Sequence, residues 1–116
     1  MITVLATREG LIGQKTASGY IVDGIVPFVA LPSFKALFKF IKITHGNIST
    51  LAIVLDVGPW NEHDNDYVFM GARPMAESGI DTRGRTTNKA GIDLSERIWH
   101  ILQMKDNTEV SWEFIG

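Results

Sequence analysis

Two acidic residues stand where carboxyl chemistry is easiest to set up. Asp56 follows the apolar run Leu51-Ala52-Ile53-Val54-Leu55 and comes just before Val57-Gly58-Pro59. A carboxyl at such a junction is partly desolvated, which favours the neutral form that a general acid needs. The same place also suits a turn cap, because an Asp before Gly-Pro accepts backbone N–H groups and stays ionised. Asp93 precedes Leu94-Ser95, where a segment with Ile98, Trp99, Ile101 and Leu102 on one face begins. It reads either as a second site carboxyl or as a residue satisfying the free N–H groups of a helix start.

Other candidates surround these two. Trp60 offers an aromatic face of the kind on which sugar rings stack, and it reads equally as core or rim packing. His63 is the imidazole nearest to Asp56 in sequence, whereas His45 sits in a Gly46-Asn47 turn and His100 on a helix surface. Arg73, Arg83 and Arg85 are suited to meeting carboxylates of a ligand, or to pairing internally with Glu77 and Asp81. The run Trp60-Asn61-Glu62-His63-Asp64-Asn65-Asp66 is rich in oxygen ligands. Asp64 and Asp66 lack the glycine and terminal glutamate of a calcium-binding loop, so the run reads as solvated and no metal or cofactor is expected.

The elements that must position these residues are mostly strands. Ile2–Thr7 alternates, and Tyr20–Val22 and Val26–Ala30 are short β-type runs around the turn pair Asp23-Gly24. Pro27 makes the second of these an edge or irregular strand. Ser33–Phe38 has room for one helical turn. Phe38–Ile43 and Ser49–Val57 are strand-like, and Glu109–Ile115 alternates with Val110, Trp112 and Phe114 on one face. In the middle strand either Leu51, Ile53 and Leu55 or else Ala52 and Val54 face inward. Ser95 is an N-cap type for one helix carrying Ile98 and Leu102. Between Trp60 and Gly91 the chain is polar and without periodicity, the pattern of a long surface loop.

Composition narrows the field. At 116 residues and 45% hydrophobic the chain holds one core. A net charge of −2 excludes a bulk basic field for nucleic acid, and the lysines at 35, 39 and 42 read as a solvated face. There is no cysteine, so disulfide and thiolate chemistry are out. No apolar run reaches membrane-spanning length. The N-terminus does not read as a secretory signal, so the expected setting is inside the cell or beyond it by a route the chain does not encode.

Four pieces in order carry a resemblance. Gly13-Gln14-Lys15-Thr16-Ala17-Ser18-Gly19, Ala30-Leu31-Pro32, Val54-Leu55-Asp56-Val57-Gly58-Pro59-Trp60 and Gly91-Ile92-Asp93-Leu94-Ser95 resemble motifs of the rare lipoprotein A family. That family is related to expansins, some cellulases and barrel-type lytic transglycosylases. The chain departs from it where Phe28 and Val29 stand in place of a histidine, where Val57 replaces an arginine, and in the longer Asn61–Ala90 segment. The resemblance implies a single mainly β domain over residues 1–116, a six-stranded double-psi β-barrel with one short helix and a long inserted loop. It implies peptidoglycan or another glycan as partner, and the charge and the lack of a long apolar run leave neither nucleic acid nor membrane expected.

By that resemblance Asp56 corresponds to the acid of the related transglycosylases. Hydrolysis would need a second carboxyl, ~5–5.5 Å away for retention or ~6.5–9.5 Å for inversion, and Asp93 is the candidate. Trp60, His63, Arg73 and Arg85 are then substrate-binding candidates. The function expected is cleavage of peptidoglycan, by a lytic transglycosylase or glycoside hydrolase with Asp56 as general acid; the alternatives are a non-catalytic glycan-binding or wall-loosening module and a structural barrel in a virion or other assembly.

Overall fold

The computed structural model describes residues 1–116. Strand β1 (Ile2–Arg8) turns Val4 and Ala6 inward by its two-residue period. β6 (Thr108–Phe114) lies antiparallel to it, with Ile2 opposite Trp112 and Val4 opposite Val110. β3 (Phe40–His45) and β4 (Ile48–Val57) form a hairpin across Gly46-Asn47. Here Ile41 and Ile43 face in while Phe40 and Lys42 face out. On β4 the inward pair is Ala52 and Val54, and Leu51 is exposed.

β2 (Phe28–Leu31) is buried along its whole length and parallel to β4. β5 (Ile92–Leu94) is parallel to β1 and antiparallel to β2. The strands close in the order β1-β5-β2-β4-β3-β6, giving the expected mainly β, six-stranded barrel. One strand of the six differs from the sequence reading. Tyr20–Val22 contributes only an isolated bridge between Lys15 and Ile21, because Gly19 and Asp23-Gly24 leave it no length. Its Val22 packs with Phe28 and Leu55 in a small satellite cluster. The sixth barrel strand is β5, three residues long and therefore too short to show alternation.

Two short helices complete the fold. Helix α1 (Asn65–Met70) lies inside the long loop and ends at Gly71 in the left-handed region. Helix α2 (Glu96–Ile101) begins where expected, its Ser95 hydroxyl accepting the Ile98 N–H at 3.3 Å. The same hydroxyl accepts the Phe28 N–H at 3.2 Å, tying α2 to β2. The long loop is clamped to the barrel from inside. Trp112 Nε1 donates to the Tyr67 hydroxyl at 2.9 Å, and that hydroxyl donates to the Gly91 carbonyl at 2.8 Å. Gly91 leaves no room for a side chain: a Cβ there would lie 2.9 Å from Val4 and 3.0 Å from Pro74.

Candidate functional site

Ala30 organises the carboxyl end of the barrel. On one side it is opposite Asp93 of β5, and on the other opposite Asp56 of β4. Neighbouring strands lie ~4.8 Å apart, so the two aspartates flank one buried alanine at the same level. The register shifts between Val29 and Ala30, a bulge of the sort that re-aims side chains near sites.

A third carboxyl joins them, one that sequence reasoning missed. Glu9 follows β1, and its N–H donates to the Leu94 carbonyl at 2.9 Å. Burial pushes the Glu9 carboxyl up to about 9, and a hydrogen bond to Asp56 and the charges of Asp56 and Asp93 push the same way. Its Oε2 is buried without a hydrogen-bond partner. The Glu9 carboxyl is thus held well above the usual carboxylate range beside Asp56. No pattern in Arg8-Glu9-Gly10 announces this. The signal lies in the topology, because β1 runs parallel to β5 and delivers Glu9 to the end where Asp93 already stands.

Each aspartate has its own partners. Asp56 Oδ1 accepts the N–H of Ala17 and that of Val57, both at 2.9 Å. Ala17 belongs to the Gly13–Gly19 motif, so Asp56 ties that loop to the end of β4. Asp93 accepts a hydrogen bond from the Thr7 hydroxyl. Burial raises the Asp93 carboxyl to about 6; the Thr7 hydrogen bond opposes this and the charge of Asp56 reinforces it. Gly58 separates the aspartates from Trp60, and a Cβ on it would sit 3.9 Å from both Asp93 Oδ2 and the Trp60 nitrogen.

The remaining sequence candidates lie elsewhere. Trp60 follows Gly58-Pro59 at the end of β4, but its indole turns into the long loop. There Nε1 donates to Asn88 Oδ1 at 2.8 Å, and the Arg85 guanidinium lies 5.8 Å from the ring centroid. Arg85 also donates to Asp81 Oδ2 at 2.6 Å. Burial works against ionisation of Asp81, yet the N–H groups of Arg85 and Arg83 and the Arg85 side chain outweigh it and hold the carboxyl below its ordinary value. Arg73 grips Glu77 at 2.9 and 2.6 Å and reaches the Thr3 carbonyl at 3.0 Å. His63 bridges to Ser33, and its ring lies 5.5 Å from that of Phe34. Thus Asp56 and Asp93 come together with Glu9, whereas the Trp60 indole, His63, Arg73 and Arg85 serve the loop.

A cavity of about 210 Å³ lies within that loop, between Trp60–Asp64, Met75 and Thr82–Arg83. It is separate from the three carboxyls.

Over residues 1–113 the chain matches the family described as "Domain of unknown function (DUF8814)". It belongs to that family. No curated protein matches the chain. Among solved structures, cerato-platanin 3 from M. perniciosa is similar with a TM-score of 0.58 at 10% identity, over 99% of this chain and 95% of that one. Streptomyces papain inhibitor is similar with a TM-score of 0.53 at 12% identity, over 96% and 92%. At such identities the likeness is one of fold, and it extends over nearly the whole barrel.

Proposed function

We propose that this barrel is a glycan-binding domain that holds its ligand without cleaving it, with peptidoglycan as the glycan. The observation that carries this is the use to which Asp56 is put. Its Oδ1 already accepts two backbone N–H groups, those of Ala17 and Val57. A general acid must bring a proton to a leaving oxygen; Asp56 instead fixes the Gly13–Gly19 loop at the barrel end. Carboxyl oxygens fixed in this way are suited to accepting sugar hydroxyls. The four motifs shared with a glycan-associated family support a glycan as the ligand. Streptomyces papain inhibitor, a barrel of similar shape, is named for inhibition, which supports binding as a role open to this fold.

A cleaving enzyme is the second reading, favoured by one observation. Glu9, raised to about 9, is a protonated carboxyl at pH 7, and Asp93, at about 6, is mostly ionised beside it. Such separation of paired carboxyls is how acid and base roles are divided in glycoside chemistry. On this reading Glu9 is the acid. Incubation with purified peptidoglycan and mass analysis of the soluble fraction distinguishes the two. The binding domain releases nothing, whereas 1,6-anhydro or reducing-end products that disappear in Glu9→Gln would establish the enzyme.

A further inference from the structure

We infer that the outer face formed by β3, helix α1 and the end of β6 rests on an anionic lipid bilayer surface. The inference goes beyond the glycan reading and does not depend on it. The two-residue period of β3 that buries Ile41 and Ile43 turns Phe40 and Lys42 outward. Helix α1 lies beside them, with Phe69 stacked on Phe114 at 5.3 Å between ring centroids. Phe69 and Lys39 line two adjoining concavities, one shared with Lys35 and Met70 and the other with Phe40 and Ile115. The surface is therefore continuous. Met70 is 77% exposed on it and Phe40 52%. Contiguous apolar surface rimmed by charge marks a place where something docks.

The charge says what docks. The chain has a net charge of −2, yet no Asp or Glu stands between Asp23 and Asp56, and that stretch carries Lys35, Lys39 and Lys42. All three lysines are exposed, and none makes an ion pair. Glu113, opposite Lys42 on β6, lies instead 3.8 Å from the Met1 amino group. No Asp or Glu lines either concavity, and Asp66 of α1 lines a neighbouring one with Arg73. Exposed Phe, Met and Ile beside unpaired ammonium groups fit the headgroup boundary of a bilayer, where apolar groups reach the acyl chains and lysines meet lipid phosphates. A glycan fits less well: Asn65 is the one uncharged polar side chain lining the face, and its oxygen already accepts the Ser33 hydroxyl. A second copy about a two-fold axis would set lysines against lysines. No helix is long and apolar enough to cross a membrane, and surface contact needs none.

Co-sedimentation of the full chain with lipid vesicles tests this. Vesicles of equal parts phosphatidylglycerol and phosphatidylcholine should retain the chain, vesicles of phosphatidylcholine alone should not, and added salt should weaken the retention. Lys35→Gln and Lys39→Gln should each weaken it about fivefold. Met70→Glu should abolish it with the melting temperature nearly unchanged. Ile80→Glu, at a position 56% exposed in the long loop and lining neither concavity, should leave retention as it is. A chain that stays in solution with the anionic vesicles would overturn the inference, as would equal retention on neutral vesicles or retention that survives Met70→Glu. A concentration-dependent dimer that is lost in Met70→Glu would overturn it too, by assigning the face to a second copy. The vesicles contain no peptidoglycan, so failure here leaves the glycan-binding reading standing, and vesicle retention of a chain that does not bind peptidoglycan removes only that reading.

Discussion

Glu9 gives the site its most measurable property. Folding raises its carboxyl from an ordinary 4.5 to about 9, and that of Asp93 from 3.8 to about 6. Between those values the folded chain binds more protons than the unfolded chain, so this stability is fully present below the lower value and is lost as pH rises. Asp81 and Glu96 are shifted downward and titrate in more acid solution. The melting temperature should therefore fall by several degrees from pH 5 to pH 8. Glu9→Gln keeps a donor for Asp56 and should flatten the slope; an unmutated chain with a flat profile over that range would contradict the buried proton. Asp56→Ala releases the Ala17 and Val57 N–H groups. Amide exchange at both should quicken while the β1–β6 amides stay protected, and unchanged exchange at Ala17 would mean the carboxylate does not hold that loop. Asp56 was legible because it ends an apolar run beside a turn, and Asp93 because it stands just before a helix start. Glu9 was not, since only the parallel pairing of β1 with β5 brings it to them.

The strands differ in how plainly they are written. β4 and β6 are long enough for β-branched or alternating patterns to show, and α2 announces itself through Ser95 and its apolar face. β5 has three residues, and its pairing on both sides outweighs its weak local signal. Helix α1 is six residues inside a polar stretch, and what secures it is the distant contact of Tyr67 with Trp112 and Gly91. Tyr67→Phe keeps the ring and removes the hydroxyl, leaving a buried indole N–H and a buried carbonyl unpaired. It should cost about 1–3 kcal/mol in denaturant unfolding; no measurable loss would mean that the loop is held by other contacts. Gly91→Ala should cost at least as much, because the Val4 Cβ and the Pro74 ring that a new Cβ would meet have little freedom to move aside. The pairing of Arg73 with Glu77 and of Arg85 with Asp81 was one of two readings open from sequence, and their four-residue spacings were its sign.

The whole molecule is a closed barrel with the carboxyl cluster at one end and a clamped loop along the side. Closure leaves no free sheet edge, so ligands must meet end loops or side-chain faces. The core that makes this possible centres on Trp112, which is 2% exposed and packs edge-on against both Tyr67 and Phe114. Trp112→Ala should cost about 3–5 kcal/mol, read as a lower midpoint in denaturant unfolding. The barrel was legible from four short motifs in order, Gly13–Gly19 to Gly91–Ser95, because each marks a turn that the fold needs. Which carboxyl keeps the proton was not, because it depends on burial that only the assembled barrel creates. The direct test of the account is co-sedimentation of the unmutated chain with purified peptidoglycan across a range of protein concentrations. The account predicts saturable retention in the pellet and a supernatant free of released fragments. A chain left in solution at every concentration, or a supernatant that accumulates cleaved glycan, would contradict it.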